Sequence, residues 1–308
     1  MTRLDETANG VYVIAATPFS DNGALDLPSV DRMVDFYLER DANGLTLLGV
    51  MGEAPKLAED EARAFLARAI QRVGGRASII AGVSAPGLAS IKSLAASAMD
   101  LGAAGVMVAP PSHLRTDDQI FAYFEGVAET LGSTPFVLQD YPLTTQVQIA
   151  PKVILRIVDA LPTCVMLKHE DWPGLAKITA LRAGSDKGAR RISILTGNGG
   201  LFLPEELARG ADGAMTGFAY PEMMVGVVKA FRGGDPERAR DLFDAYLPLA
   251  RYEQQPGIGL AVRKTILAKR GAIASPTLRE PGATLSAADI AEVESLIARQ
   301  TRRLQEIG

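Results

Sequence analysis

Short apolar runs alternate with amphipathic stretches over roughly the first three quarters of the chain. The apolar runs are rich in β-branched residues and end in Gly, Pro or polar residues, so they predict strands. They cover residues 11–19, 44–49, 77–83, 105–110, 135–141, 164–170, 192–198 and 213–218. Stretches between them, such as SVDRMVDFYLER and EDEARAFLARAIQRV, place apolar residues three or four positions apart, and this period predicts helices.

The strand–helix alternation predicts an α/β fold. Runs that are apolar on both faces indicate a parallel sheet covered by helices. Eight such units over roughly 220 residues fit a (β/α)8 TIM barrel. A doubly wound open sheet is the alternative, but it usually carries a glycine-rich phosphate turn after its first strand. Here TPFSDNG follows the first strand, so we predict the barrel.

The pattern changes after residue 231, where no further strand is predicted. Helical periods cover residues 235–254, 257–272 and 286–307, separated by QPG and by the proline-rich ASPTLREPGATL. We therefore predict two regions: a barrel over residues 1–231, and a C-terminal helical extension over residues 232–308 that packs on the barrel.

Composition and charge exclude several classes of protein. Of the 308 residues, 47% are hydrophobic, which is enough for a large core. The net charge of −4 provides no basic face for nucleic acid or anionic membranes. The single cysteine, Cys164, argues against a disulfide framework and fits a reducing compartment. The polar start MTRLDETANG has no signal core, and no run approaches the ~20 apolar residues that span a bilayer. We expect a cytoplasmic protein without nucleic-acid or membrane partners.

The stretch CVMLKHED contains the main candidate for chemistry, Lys168. Lys168 ends an apolar strand, and the carboxyl ends of the strands are where such barrels carry their active sites. If side chains alternate along the strand, Lys168 points into the barrel together with Met166 and Cys164. An apolar base of this kind disfavours the ammonium form, as an imine-forming amine requires. The alternative is a strand end whose ammonium group lies in water.

Two histidines are present, and the sequence places them differently. By alternation His169 points outward to the helix layer, which favours a structural role. His113 lies in the loop after the fourth strand, at the catalytic face, and a functional role stays open. Histidines this far apart do not have the spacing of metal ligands, so we expect no metal. A Ser-His-Asp hydrolase is disfavoured because no G-x-S-x-G sequence is present.

Two glycine-rich turns follow strands. In LLGVMGEAPKL, two glycines flank Val50 and Met51, and the exposed backbone N–H groups of such a turn can bind a carboxylate. The alternative is an ordinary turn in which Glu53 helps to start the next helix. TGNGG, residues 196–200, follows the seventh strand and could bind phosphate, but a plain turn is favoured.

Motifs over nearly the whole chain carry a family resemblance. They are ATPF, LGVMGEAPKL, AGV, LGAAGVMVAPP, the strand-six lysine Lys168, and ASPTLREPGATLS. With these motifs the chain resembles the dihydrodipicolinate synthase/N-acetylneuraminate lyase superfamily of class I, Schiff-base aldolases and dehydratases. The resemblance implies a (β/α)8 barrel with a helical extension that assembles as a homotetramer or homodimer. It also implies that Lys168 forms an imine with pyruvate or another 2-keto acid, with no cofactor.

The chain departs from the pattern of this family where the family carries hydroxyl groups. Val50 and Met51 replace the loop threonines, Gln139 replaces the strand-five tyrosine, and Ser112 stands about where the interface tyrosine falls. The arginine that anchors aspartate semialdehyde is also absent, because YPLTT follows the fifth strand. These departures disfavour the lysine-pathway synthase.

Residues on the fifth and sixth strands are the candidates to replace the missing groups. If Gln139 faces the interior, alternation turns Tyr141 inward as well, whereas Asp140 faces outward. Glu170 shares the parity of Lys168, and it either reaches the mouth of the barrel or forms a salt bridge in the loop. We predict Lys168 and Tyr141 as catalytic residues, and Val50, Met51, Gly52 and Gln139 as substrate-binding residues.

The sequence leaves three functions open. The first is a class I lyase, an aldolase or hydro-lyase, acting on pyruvate or another 2-keto acid of sugar-acid or aromatic breakdown. The second is 4-hydroxy-tetrahydrodipicolinate (dihydrodipicolinate) synthase of lysine biosynthesis. The third is a barrel that binds keto acids without turnover. We favour the first.

Overall fold

Eight parallel strands close into a barrel in the computed structural model, which describes residues 3–172 and 174–308. Each strand pairs with the next, and β8 pairs with β1. The strands are β1 Gly10–Ile14, β2 Gly44–Leu47, β3 Ser78–Gly82, β4 Gly105–Val108, β5 Phe136–Asp140, β6 Cys164–His169, β7 Ser193–Thr196 and β8 Gly213–Thr216. Each overlaps the apolar run that predicts it, so the predicted TIM barrel is confirmed.

Helices surround the barrel. They are α1 Leu27–Leu38, α2 Glu59–Val73, α3 Leu88–Leu101, α4 Asp117–Leu131, α5 Pro142–Thr145, α6 Pro151–Ala160, α7 Leu175–Asp186, α8 Leu203–Ala208, α9 Pro221–Arg232, α10 Pro236–Glu253, α11 Gly259–Lys269 and α12 Ala287–Ile307. Residues at the helix ends explain several of these bounds. Asp26 accepts a hydrogen bond from the Ser29 N–H at the start of α1, and Gly74 ends α2 in the left-handed conformation. In the part of the chain that the structure describes, no helix has the length and hydropathy of a membrane span.

The core has two layers that follow the alternation of the strands. A small cluster fills the interior of the barrel, and a larger one packs between the strands and the helices. Met166 lies in the interior cluster, as predicted. The prediction for Cys164 is wrong, because Cys164 lies in the outer cluster. The register shifts between β5 and β6 at this point, so one extra β6 residue reverses the alternation below Met166.

The three helices that follow α9 pack on the barrel through α10, which contacts both α9 and α12. Two buried charges of α11 reach the carboxyl ends of the strands. Arg263 pairs with Glu253 and donates to the Gly217 carbonyl just after β8. Lys264, with no exposed surface, pairs with Glu53 after β2. The Lys264–Glu53 ion pair and the hydrogen bond from Arg263 to the Gly217 carbonyl therefore join the barrel mouth to the helices beyond residue 232.

Candidate active site

Lys168 lies inside the barrel near the carboxyl end of β6. It is only 4% exposed, and in the sheet it stands between Gln139 of β5 and Leu195 of β7. Met166, two residues earlier, belongs to the apolar interior cluster beneath it. The inward direction predicted from alternation is therefore observed, with Met166 rather than Cys164 forming the apolar base.

Glu170 is the nearest charged partner of Lys168. Its carboxylate Oε2 lies 2.9 Å from Lys168 Nζ and accepts a 2.7 Å hydrogen bond from Gln139 Nε2. All three side chains are at least nine-tenths buried. The sequence leaves open whether Glu170 reaches the mouth or forms a salt bridge in the loop, and its parity with Lys168 is the one signal for the mouth. The structure places Lys168, Glu170 and Gln139 in one contact network.

Gly197 leaves the space that the Glu170 side chain occupies. A Cβ on Gly197 would stand 2.2 Å from Glu170 Cγ, which is far inside van der Waals contact. On the other side of the loop, the Asn198 side chain donates a hydrogen bond to the backbone carbonyl of Glu170. The turn after β7 therefore holds Glu170 against Lys168. This structural role agrees with the plain turn that the sequence favours for residues 196–200 over a phosphate site. The Gly199 N–H, for example, donates to the hydroxyl of Thr216.

Tyr141 follows β5 at the mouth and is half-buried. Burial raises the pKa of Tyr141; the nearby Glu170 carboxylate adds to the rise, and a hydrogen bond with Thr144 opposes it. The phenol therefore keeps its proton at neutral pH and can act as a donor. The inward direction and the catalytic role of Tyr141 stay predictions.

The segment after β2 forms a short 3₁₀ turn over Val50–Gly52. The Gly52 N–H donates to the Gly49 carbonyl at 3.0 Å, so the predicted donor at Gly52 is used inside the turn. Among the described residues the backbone N–H groups of Val50 and Met51 have no hydrogen-bond partner. These two groups, and not that of Gly52, are the free donors of the loop.

Glu53 fixes this loop to the C-terminal region. It is 3% exposed and accepts hydrogen bonds from Lys264 Nζ at 2.6 Å, Lys56 Nζ at 2.9 Å and the Arg279 N–H at 3.1 Å. The alternative interpretation of the turn, in which Glu53 helps to start α2, is not what the structure shows, because Glu61 accepts the Ala58 N–H at that helix start. Nothing in the α11 sequence GLAVRKTILAK distinguishes Lys264 as a buried lysine.

His169 and Asp140 lie in the outer layer, as alternation predicted for both. Asp140 Oδ2 accepts a 2.8 Å hydrogen bond from Lys177 Nζ, and His169 Nε2 lies 3.1 Å from the Gly174 carbonyl. These contacts tie β5 and β6 to α7. The other histidine, His113, is exposed on the loop after β4.

A cavity of about 700 Å³ opens at the carboxyl ends of β2 to β5. Gln139, which bonds Glu170, lines its inner end together with Met107. From there the cavity passes the Val50 turn and continues over the N-terminal halves of α2 and α3. Of the contact network around Lys168, Gln139 lines this cavity. Within residues 3–172 and 174–308, no three acidic, His or Cys side chains are grouped as metal ligands.

The arrangement has the parts that imine chemistry needs. An amine in a buried pocket is a nucleophile towards a carbonyl carbon once it has lost its proton, and a carboxylate 2.9 Å away can take that proton. A protonated phenol and two free backbone N–H groups stand at the same mouth.

Comparison with known proteins gives a consistent relationship. The model of the dihydrodipicolinate synthetase family matches residues 7–300. The chain is 30% identical to L-2-keto-3-deoxyarabonate dehydratase of Azospirillum brasilense, over 88% of each chain. It is 32% identical to 4-hydroxy-tetrahydrodipicolinate synthase 1 of Streptomyces coelicolor, over 97% of this chain and 95% of that one.

Solved structures agree with the sequence relatives. A crystal structure described as dihydrodipicolinate synthase from Rhodopseudomonas palustris superposes with a TM-score of 0.95 at 53% identity. The match covers 97% of this chain and 100% of that chain.

Proposed function

The chain belongs to the dihydrodipicolinate synthetase family, and we propose that it is a class I lyase acting on pyruvate or another 2-keto acid through an imine on Lys168. One observation carries the proposal: Lys168 is buried inside the barrel mouth, 2.9 Å from a carboxylate that can accept its proton. Both the aldolase and the dehydratase reaction pass through this imine.

We propose that Glu170 moves the protons of imine formation. It takes a proton from the Lys168 ammonium group, and the free amine attacks the C2 carbonyl. The same carboxylic acid then returns the proton to the carbinolamine hydroxyl, which leaves as water. Gln139 holds the Glu170 carboxylate by its 2.7 Å hydrogen bond, so the proton carrier stays beside Nζ.

The protonated imine withdraws electrons from the adjacent carbon. In condensation and in loss of water, Glu170 removes a proton from C3, and the resulting enamine attacks an aldehyde to form the C3–C4 bond or expels a hydroxyl group from C4. In cleavage, the imine takes up the electron pair of the breaking C3–C4 bond, and Glu170 in its acid form protonates the resulting enamine at C3. Tyr141, a protonated phenol near Glu170, supplies the proton to the C4 oxygen in condensation and in loss of water. The free N–H groups of Val50 and Met51 are the proposed partners of the substrate carboxylate.

Release of pyruvate from a 4-hydroxy-2-keto acid tests this function. The wild-type protein and Lys177→Arg are expected to release pyruvate, and Lys168→Arg is expected to lose at least roughly a thousandfold in kcat, since arginine cannot form the imine. Lys177 is the matched control because it is also buried but belongs to the outer layer. Absence of cleavage, dehydration and condensation with any 2-keto acid would favour the non-catalytic barrel.

The lysine-pathway synthase is the second candidate, and the names of the Streptomyces and Rhodopseudomonas relatives support it. Against it, Leu143 and Thr144 follow β5 where an anchoring arginine is expected from the resemblance. Ring formation from pyruvate and aspartate semialdehyde tests this reaction directly. A rate comparable to that of the best aldehyde acceptor would establish the synthase.

We further propose that the enzyme works in the cytoplasm as a homotetramer or homodimer. The single buried cysteine supports a reducing compartment. Light scattering coupled to size-exclusion chromatography measures the assembly, and a monomer at micromolar concentration would contradict it.

A further inference from the structure

The wall of the cavity beside Gln139 is mostly apolar. Val50, Leu57, Pro86, Leu94, Met107 and Ala109 are among its lining residues. Val50 is unusual for an aliphatic side chain because 51% of its surface is exposed, and the cavity is what it faces. A surface of this kind gains free energy when an apolar group covers it.

Charged groups are scarce in the same wall. As far as the described residues show, no lysine, arginine or histidine lines the cavity, and Glu59, at its outer part, is its one carboxylate. A second carboxylate on the substrate would therefore lose water without gaining a cation. The cavity does not fit a dicarboxylate or an amino-acid acceptor.

The polar groups of the wall nearest to Lys168 use part of their hydrogen-bonding capacity within the protein, and the Thr144 hydroxyl, which also lines the cavity, bonds Tyr141. Gln139 donates to Glu170, and the Ser84 hydroxyl accepts the Ala109 N–H at 2.9 Å. Ser90 and Ser93 lie farther out, on α3. A polyhydroxylated chain extending beyond C3 of the substrate would contact methyl and methylene groups over most of its length. Each of its hydroxyl groups that lacks a hydrogen-bond partner costs free energy.

From these observations we infer that the part of the substrate beyond the 2-keto acid is apolar, either aromatic or branched alkyl. The inference rests on the proposed imine at Lys168. It adds the chemical class of the substrate group that lies beyond the 2-keto acid. It separates this chain from a polyol-recognising dehydratase, although a sugar-acid dehydratase is among its relatives.

The balanced reaction in the synthetic direction is simple. The enamine carbon, C3 of pyruvate, attacks the carbonyl carbon of an aldehyde RCHO, and the C3–C4 bond forms. The aldehyde oxygen takes up the proton that C3 released, and water hydrolyses the imine to return Lys168. The product is a 4-hydroxy-2-keto acid whose C4 carries the R group, and loss of water across C3–C4 gives the unsaturated acid.

Competition between acceptors tests the inference. With pyruvate as the donor, kcat/KM for benzaldehyde is expected to exceed that for glyceraldehyde on the order of a hundredfold. Equal values, or a preference for glyceraldehyde, would overturn the inference. Borohydride trapping of pyruvate in the same preparation distinguishes failure of the inference from failure of the proposed function. An adduct without a preference for benzaldehyde would contradict only the inference. Absence of an adduct defeats the proposed function itself.

A cavity-filling variant gives a second readout. Ala85 is a small, partly buried residue of the cavity wall. Ala85→Phe is expected to lower the ratio of kcat/KM for benzaldehyde to that for acetaldehyde at least about tenfold, since only the larger acceptor reaches this wall. The ratio is measured within one protein, so partial unfolding affects both acceptors equally. A ratio that matches the wild-type value would place the aromatic group elsewhere and contradict the inference.

Discussion

Glu170 is the residue whose proposed role depends most directly on geometry. Its carboxylate contacts Lys168 Nζ and is fixed by Gln139. It occupies the inner mouth where the strand-five and loop hydroxyls of the family pattern are absent. We propose that a carboxylate in this position replaces the hydroxyl relay with a single acid–base group, so the missing hydroxyls at Val50 and Gln139 are compatible with catalysis.

Glu170→Gln separates imine formation from proton removal at C3. The amide keeps the shape and the hydrogen-bonding capacity of the side chain but cannot accept the proton. We expect the pyruvate adduct still to form at equilibrium, while exchange of the pyruvate C3 protons with D₂O slows by roughly 10²–10⁴-fold. Proton exchange is followed by NMR, with the exposed Glu205→Gln as control. Exchange at the wild-type rate would assign the C3 proton to another group.

Gly197 tests whether the position of Glu170 matters. In Gly197→Ala the new methyl group overlaps the Glu170 side chain, which must move away from Lys168. A displacement of about 1 Å is expected to lower kcat about a hundredfold. Gly87→Ala is the matched control, because no atom lies within 4 Å of its added Cβ. Activity lost equally in both variants would point to a general effect of the added methyl group.

At the scale of elements, α8 contributes a buried carboxyl group to the outer layer. Burial raises the pKa of Glu206 from its ordinary 4.5 to about 7, while hydrogen bonding to Thr196 and the charge of His169 oppose the rise. In the described structure its Oε2 has no hydrogen-bond partner. The folded state therefore binds this proton more tightly than the unfolded state does.

The sign of the resulting pH dependence follows from that difference. Stability from the neutral form is complete below pH 4.5 and is lost as the pH rises through about 7. Relative to Glu206→Gln, the wild-type free energy of unfolding is expected to fall by about 3 kcal/mol between those limits. Urea unfolding at a series of pH values measures it, with the exposed Glu205→Gln as control. A constant difference between wild type and Glu206→Gln would contradict the shift.

Elements and their order could be predicted from the sequence because apolar period and turn residues are local signals. All eight strands and the three C-terminal helices appear where the pattern predicts them. The bulge in β6 could not be predicted, because strand register depends on the partner strand, and Cys164 was placed on the wrong side. Prediction of the ion pair between Lys168 and Glu170 requires the shared side-chain parity of the two residues and the course of the loop after β6. Only the parity can be read from the sequence.

At the scale of the whole molecule, the extension and the barrel share buried charges. Glu253 of α10 accepts the Ala219 N–H after β8 and pairs with Arg263 of α11. The sequence predicted both helices but not this pairing, since charged residues in amphipathic helices usually face water. We propose that the regions 1–231 and 232–308 unfold as one cooperative unit.

Glu253→Gln tests this coupling. The change leaves the buried Arg263 without a carboxylate, which is expected to cost about 3–5 kcal/mol of unfolding free energy. Far-UV circular dichroism and the fluorescence of the single tryptophan, Trp172, are expected to report the same lowered midpoint. Glu294→Gln removes an exposed partner of Lys269 and is expected to change stability by less than about 1 kcal/mol. Separate midpoints for the two probes would show that the regions unfold independently.

The proposed function depends on imine formation between Lys168 and a 2-keto acid. In the part of the chain that the structure describes, three lysines have less than a tenth of their surface exposed: Lys168, Lys177 and Lys264. Burial alone therefore does not identify the nucleophile. Reduction with borohydride in the presence of pyruvate, followed by peptide mass analysis, identifies it directly. We predict one reduced pyruvate adduct on the peptide that contains Lys168, in the wild type and in Lys177→Arg, and none in Lys168→Arg. An adduct on a different lysine, or no adduct with any 2-keto acid, would contradict imine formation at Lys168.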